Sequence, residues 1–190
     1  MDEPPQASEV SATREQAISQ SKEEIIKEAK RIEESTLLSS KGHWAAAHRW
    51  GFCHLYLGLP TTVLAAIAAA AWFKRSETYA VAGIISTIVA ALSAVSTFLN
   101  ANSKSAAHLK AGNGYDALQT KVRIFATIEC FDESETVLTK RLKDLAGEKE
   151  KLNRESPQVP PWAYKIAKKG VAAGEATYEV DANRDLPAPR

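Results

Sequence analysis

Two uncharged stretches decide the fold: Leu55–Phe73 (LYLGLPTTVLAAIAAAAWF) and Tyr79–Leu99 (YAVAGIISTIVAALSAVSTFL). Each has about 20 residues, which at ~1.5 Å per helical residue matches a hydrocarbon core about 30 Å thick. Only Lys74–Thr78 (KRSET) separates them, and so short a connection allows little more than a turn. The sequence therefore predicts an antiparallel hairpin of two transmembrane helices.

Aromatic residues support this interpretation, because rings gather at both interfaces of a membrane protein. They bracket the turn and recur at the opposite ends of the two stretches: Trp72, Phe73 and Tyr79, then Trp50, Phe52, Tyr56 and Phe98. The alternative is a buried hairpin in a soluble protein, which Pro60, the Thr61–Thr62 hydroxyls and the hydroxyls of the second stretch keep open. We favour lipid because a chain of 190 residues has little interior in which to bury two such runs.

The flanks predict the orientation of the hairpin. Basic residues near the span ends lie mainly outside the turn: Lys41, Arg49, Lys104 and Lys110, against Lys74 and Arg75 with Glu77. A short turn is also easier to translocate than a charged flank, so both termini are expected in the cytoplasm. A net charge of +1 gives no signal for nucleic acid, and none is expected as a partner. Two cysteines are too few for a disulfide framework, and the polar start of the chain lacks a signal-peptide pattern.

The expected organisation is all-α, with most of the mass on one side of the membrane. Residues 1–20 are predicted to be disordered, and 21–53 to form an amphipathic cytoplasmic and juxtamembrane helix with a break at Ser39–Gly42. The hairpin occupies 54–99 and a cytoplasmic helical region 100–156. A proline-rich linker, a short helix and a disordered tail are predicted for 157–190.

Two apolar seams mark the cytoplasmic region, at the spacing of an a/d-type helix stripe. They are Tyr115, Leu118, Val122 and Phe125, then Leu138, Leu142 and Leu145. Asp132 and Glu135 are predicted to cap the helix that carries the second seam. The seams have three possible uses, which are to pack on each other, on the first flanking helix, or on another subunit or partner.

Catalysis finds little support in the sequence. The four histidines are spaced five or more residues apart, so no two lie on adjacent turns of one helix face, as a zinc pair would require. No phosphate-binding glycine loop or nucleophile motif is present. We therefore expect a protein that is not an enzyme and that needs no metal or cofactor.

Small and hydroxyl residues form a stripe along the second stretch: Gly83, Ser86, Ala90, Ser93 and Thr97, extended by Asn100. Thr61 and Ala65 give the first stretch a similar face. Such residues let helix backbones approach closely and hydroxyls bond across helices. They would equally suit the lining of a water-filled path, which two helices cannot enclose without further subunits.

The amino-acid sequence on either side of the hairpin resembles that of the SLATT family of bacteria and archaea. The similarity lies in Trp44–Tyr56 (WAAAHRWGFCHLY) and in Lys104–Leu118 (KSAAHLKAGNGYDAL), where Lys104, His108, Tyr115 and Leu118 form a spaced pattern. It covers about residues 25–153.

The resemblance implies a membrane effector of a nucleotide-linked, antiphage defence system. Such a protein would oligomerise in the bacterial inner membrane and form a pore, or disrupt the bilayer, after a signal from a sensor or nucleotide-synthesising partner protein. It implies no catalytic residue. The competing hypothesis is a passive membrane scaffold, which recruits a soluble partner through the seams around Leu118 and Leu142.

Overall fold

The computed structural model describes residues 7–73 and 79–178, and within them every regular element is helical, which confirms the all-α class. The helices are α1 (Ala7–Phe73), α2 (Tyr79–Leu99), α3 (Ala101–Ile124), α4 (Glu135–Glu155) and α5 (Pro161–Ala172). A π-helical turn (Phe125–Glu129) and a last α-turn (Cys130–Asp132) extend α3.

The described residues form two compact units. The first unit contains the described residues up to Gly42 and from Ala111 onward, and the second unit is His43–Lys110. The first unit is a bundle of α1, α3, α4 and α5, and the second contains the two apolar stretches.

The register of the first unit follows from a few contacts. The Tyr115 hydroxyl donates to Asn153 Oδ1 at 2.7 Å, and Lys121 Nζ lies 2.7 Å from Glu148. Because residue numbers rise along α3 while those of their partners on α4 fall, the two helices are antiparallel. The Ser21 hydroxyl of α1 donates a hydrogen bond to Glu135, the first residue of α4.

The core of the first unit joins three helices. Ile25, Ala29 and Ile32 of α1 pack in one buried cluster with the two seams, whose members there are Leu118, Val122, Phe125, Leu138 and Leu145. Leu142 packs against this cluster while partly buried, and Tyr115 is buried as well. The seams therefore pack on each other and on the first flanking helix, and this burial leaves little of them for another subunit or partner.

The predicted break at Ser39–Gly42 is wrong, since α1 passes through it. The Ser39 and Ser40 hydroxyls donate to the carbonyls of Ser35 and Leu37, each at 2.9 Å, so both side-chain donors find their acceptors within the same helix. Gly42 has a packing role, because a Cβ there would lie 3.0 Å from Val159 Cγ1. Burial against the α4–α5 connection outweighs the weak helix propensity of glycine.

Other boundaries differ in detail from the sequence prediction. Helix α1 begins at Ala7, inside the segment predicted to be disordered. The cap of α4 is Ser134 and not Asp132, while Glu135 lies in the first turn. α4 ends at Glu155, just before the prolines, and α5 is the expected short helix. The predicted turn at 74–78 and most of the predicted tail lie outside the described residues.

Replacing Phe125 tests the shared core. Phe125 is 1% exposed whereas Phe131 is 70% exposed, so Phe125→Ala should destabilise the first unit by about 3–5 kcal/mol. Thermal and denaturant unfolding of the full chain in detergent, followed by circular dichroism, would measure the change. Phe131→Ala is the matched control and should cost less than about 1 kcal/mol; equal effects would contradict the assigned core.

Candidate functional site

The second unit is an antiparallel pair, in which α1 runs one way and α2 followed by α3 runs back. The rings of Trp72 and Tyr79 meet at one end, with centroids 5.2 Å apart. Towards the other end, the Ser105 hydroxyl donates to the Ala47 carbonyl at 2.8 Å. Lys104 Nζ lies 4.5 Å from the centre of the Trp50 ring, a cation–π contact.

Burial along the two apolar stretches follows the alternating three- and four-residue spacing of a helix pair. On α1 the buried or partly buried positions include Leu57, Thr61, Leu64, Ala68 and Ala71. On α2 they are Ala82, Ile85, Val89, Leu92, Ser96 and Leu99. The two stretches thus pack through one narrow face each.

The small and hydroxyl stripe is displaced from this contact. Gly83, Ser86, Ala90, Ser93, Thr97 and Asn100 are all exposed, one helical position round from the packing residues of α2. On α1, Thr61 is partly buried and Ala65 is exposed. Of the whole set, Ala65 and Ser86 line one cleft of about 330 Å³ together with Trp72. The stripe as a whole therefore lies beside the contact between α1 and α2.

Two threonine hydroxyls on or beside the stripe bond to carbonyls of α2 itself and not to α1. Thr97 Oγ1 donates to the Ser93 carbonyl at 2.9 Å, and Thr87 beside the stripe donates to Gly83 at 3.0 Å. Each hydroxyl oxygen keeps lone pairs that can accept a hydrogen bond from outside the helix. Asn100 ends the stripe with φ +45°, a left-handed conformation that asparagine tolerates better than most residues.

Among the described residues, little protein covers the rest of the apolar surface. Two helices of the described chain are long and apolar enough to cross a membrane, and 6% of each of their most apolar 18-residue windows is buried. A core helix of a soluble protein would be mostly covered. Exposed aromatic rings stand near both ends of the α1 stretch, at Phe52, Tyr56 and Trp72. Phe52 and Trp72 are separated by roughly 30 Å of helix at ~1.5 Å per residue.

A pair of buried histidines lies at the polar end of the second unit. His43 Nδ1 and His108 Nδ1 are 2.9 Å apart, and both side chains are buried. The sequence reasoning missed this pair because it compared histidines only along one helix. One Nδ1 must carry the proton and donate the hydrogen bond, and the other must accept it, so the accepting imidazole is neutral with its proton on Nε2.

Burial favours the neutral forms of these imidazoles. It lowers the pKa of His43 to about 4, with the nearby His108 as the smaller cause. Burial likewise lowers the pKa of His108. The pair is therefore a neutral structural contact between α1 and α3 at neutral pH.

A groove of about 450 Å³ lies on a neighbouring face of the same two helices. Its walls are mainly apolar, with Trp44, Phe52, Leu55 and Leu109 among them and His48 as a polar member. Such a mainly apolar surface is suited to contact with apolar groups. No group of three or more His, Cys, Asp or Glu side chains able to hold a metal occurs among the described residues.

No protein-family model, curated protein or solved structure matches the chain.

The histidine pair predicts a pH dependence of stability. Unfolded His43 takes up a proton near its ordinary pKa of 6.5, whereas the folded residue does so near 4. The unfolded state thus binds more protons in this interval, and stability should fall as the pH drops through it. His43→Leu/His108→Leu should flatten this dependence, as measured by tryptophan-detected thermal unfolding in detergent over the same interval.

A single replacement separates hydrogen bonding from simple packing. His43→Leu leaves the buried His108 imidazole without its Nδ1 partner and should cost about 1–3 kcal/mol at neutral pH, more than the double variant. A single variant as stable as the wild type would contradict the bond.

Proposed function

We propose that the chain is a membrane effector that spans the bilayer twice, oligomerises and opens a path for small solutes when it is triggered. The exposed apolar surface of α1 and α2 carries this proposal. Contiguous apolar patches of such length do not stay exposed on soluble monomers, so lipid and neighbouring subunits are the surfaces that would cover them.

The charged flanks support a two-pass orientation with both termini in the cytoplasm. The first unit contains many exposed charged side chains, among them the ion pairs of Glu23 with Lys27 and of Lys121 with Glu148. Translocating such a bundle is far less favourable than translocating the five residues between Phe73 and Tyr79. The resemblance to SLATT proteins favours the bacterial inner membrane.

The exposed stripe on α2 supports the path. Because it lies beside the α1 contact, it is available to a neighbouring hairpin or to water enclosed by several hairpins. Its side chains are mostly small or carry hydroxyls, and neither stretch contains Asp, Glu, Lys, Arg or His. Such a lining would conduct without strong charge selectivity, and a coupled proton relay would lack its carriers.

The trigger must favour the open assembly over the closed one, since a ligand shifts an equilibrium only through differential binding. The SLATT resemblance points to a sensor or nucleotide-synthesising partner as the source of that signal in antiphage defence. The passive scaffold is the weaker candidate, because the seams that motivated it are buried inside the first unit.

Membrane extraction tests the first step of the proposal. The full-length protein should sediment with membranes and resist alkaline carbonate. Ile84→Arg/Ile88→Arg places two charges on the exposed face of α2, at about 2.5–3.5 kcal/mol each in mid-membrane, and should release much of the protein. Ile128→Arg, which changes an equally exposed isoleucine of the first unit, is the control. A wild-type chain that stays soluble and monodisperse without amphiphile would refute the proposal.

Conductance tests the second step. Full-length protein in planar bilayers should give currents that Ser93→Leu or Thr97→Leu lowers by roughly tenfold, because an apolar constriction loses its water. Ala91→Leu adds the same bulk at an exposed position off the stripe and should leave the current unchanged. Loss of current with all three variants, or silence in every assembly state, would contradict a path along the stripe.

A further inference from the structure

An exposed apolar patch lies where α3 turns into α4. Ile128 is 60% exposed and Phe131 70%, with Val137 half exposed across the turn. Ile128 and Val137 line a cavity of about 390 Å³ together with Glu129, Asp132, Glu133 and Arg141, and the exposed Phe131 precedes Asp132 in the chain. We call these seven residues the tip surface; all belong to the first unit.

The π-helical turn creates this surface. The Cys130 N–H bonds to the Phe125 carbonyl five residues back, which is the π pattern. With regular α spacing, the residue four after Phe125 would face the core, and that residue is Glu129. The extra residue turns Cys130 inward, where it is buried. Glu129 is thereby kept at the surface, beside Ile128 and Phe131.

The charges around the patch restrict what can cover it. Three carboxylates, Glu129, Asp132 and Glu133, face one guanidinium, that of Arg141, which lies 3.7 Å from Glu129. The surplus is two negative charges, which would repel nucleotide phosphates, nucleic acid and anionic lipid headgroups. A surface with apolar anchors and positive charge complements it.

We propose that the tip surface is a docking site for a partner protein that presents an amphipathic helix with lysine or arginine beside its apolar face. Ile128, Phe131 and Val137 receive the apolar side chains, as in helix-in-groove recognition. Glu129, Asp132 and Glu133 pair with the basic ones. The role of this site as the entry point of the trigger rests on the proposed function. The binding of the helix itself needs no pore.

The test uses full-length protein in zwitterionic nanodiscs, so that the probe does not bind anionic lipid. The probe is a fluorescent helical peptide with leucines at i, i+3, i+4 and i+7 and lysines at the flanking positions. Fluorescence anisotropy should show saturable binding. Phe131→Ser and Asp132→Lys/Glu133→Lys should each weaken it by about tenfold or more, and added salt should weaken it further.

Matched controls lie elsewhere on the first unit. Ile166 on α5 is 55% exposed, and Glu150 on α4 is also exposed, so Ile166→Ser and Glu150→Lys repeat the chemistry away from the tip. Both should bind the probe like the wild type. Because the replaced side chains are exposed, circular dichroism should show unchanged folding in every variant.

Several outcomes would overturn the inference. No saturable binding, equal binding of a peptide with glutamate in place of lysine, or equal losses in the controls would remove the site. Self-association of the wild type that Phe131→Ser abolishes would assign the tip to a second copy instead. A protein that conducts but does not bind the peptide refutes the docking site alone, whereas one that binds but never conducts refutes the effector alone.

Discussion

Helix α1 supplies packing residues to each of the two units, and the packing within each unit depends on the helical register of α1 there. It contributes Ile25, Ala29 and Ile32 to the core of the first unit and the Leu57–Ala71 face to the apolar pair. A break anywhere between would leave backbone groups without their helical hydrogen bonds. Around Ser39–Gly42 the serine hydroxyls bond within the helix, and Gly42 packs closely against Val159, so burial opposes the weak helix propensity of this stretch.

Periodicity along a single helix was enough to predict much of this structure. The uncharged stretches, the two seams and the proline stop after α4 are signals that a helix carries within a few turns. The break at Ser39–Gly42 failed because tertiary packing overrides propensity. The His43–His108 bond and the π turn could not be found in this way, since each depends on the register of one helix against another. For the stripe, composition identified the residues, while only the structure showed that they lie beside the α1 contact and not in it.

The two seams are buried in the first unit, whereas the tip surface is exposed. The seams, which the sequence suggested as a partner surface, instead form the core of the first unit. At the end of α3, the large apolar side chains of Ile128 and Phe131 are exposed. The proposed triggered effector would need some surface that is not already used for its own folding. In the described residues of the first unit, the tip surface combines exposed apolar side chains with a surplus of negative charge.

The two thiols stand in different surroundings, and chemistry at sulfur will distinguish them. Cys130 is buried behind the π turn, and burial raises the pKa of its thiol, with the neighbouring Glu129 as a smaller cause. Little thiolate forms there, and thiolate is the species that reacts. Cys53 is partly exposed beside the first apolar stretch. An unaltered chain treated with a maleimide dye is therefore expected to acquire its label at Cys53, which gives spectroscopy a single reporter beside the first apolar stretch without any engineered cysteine.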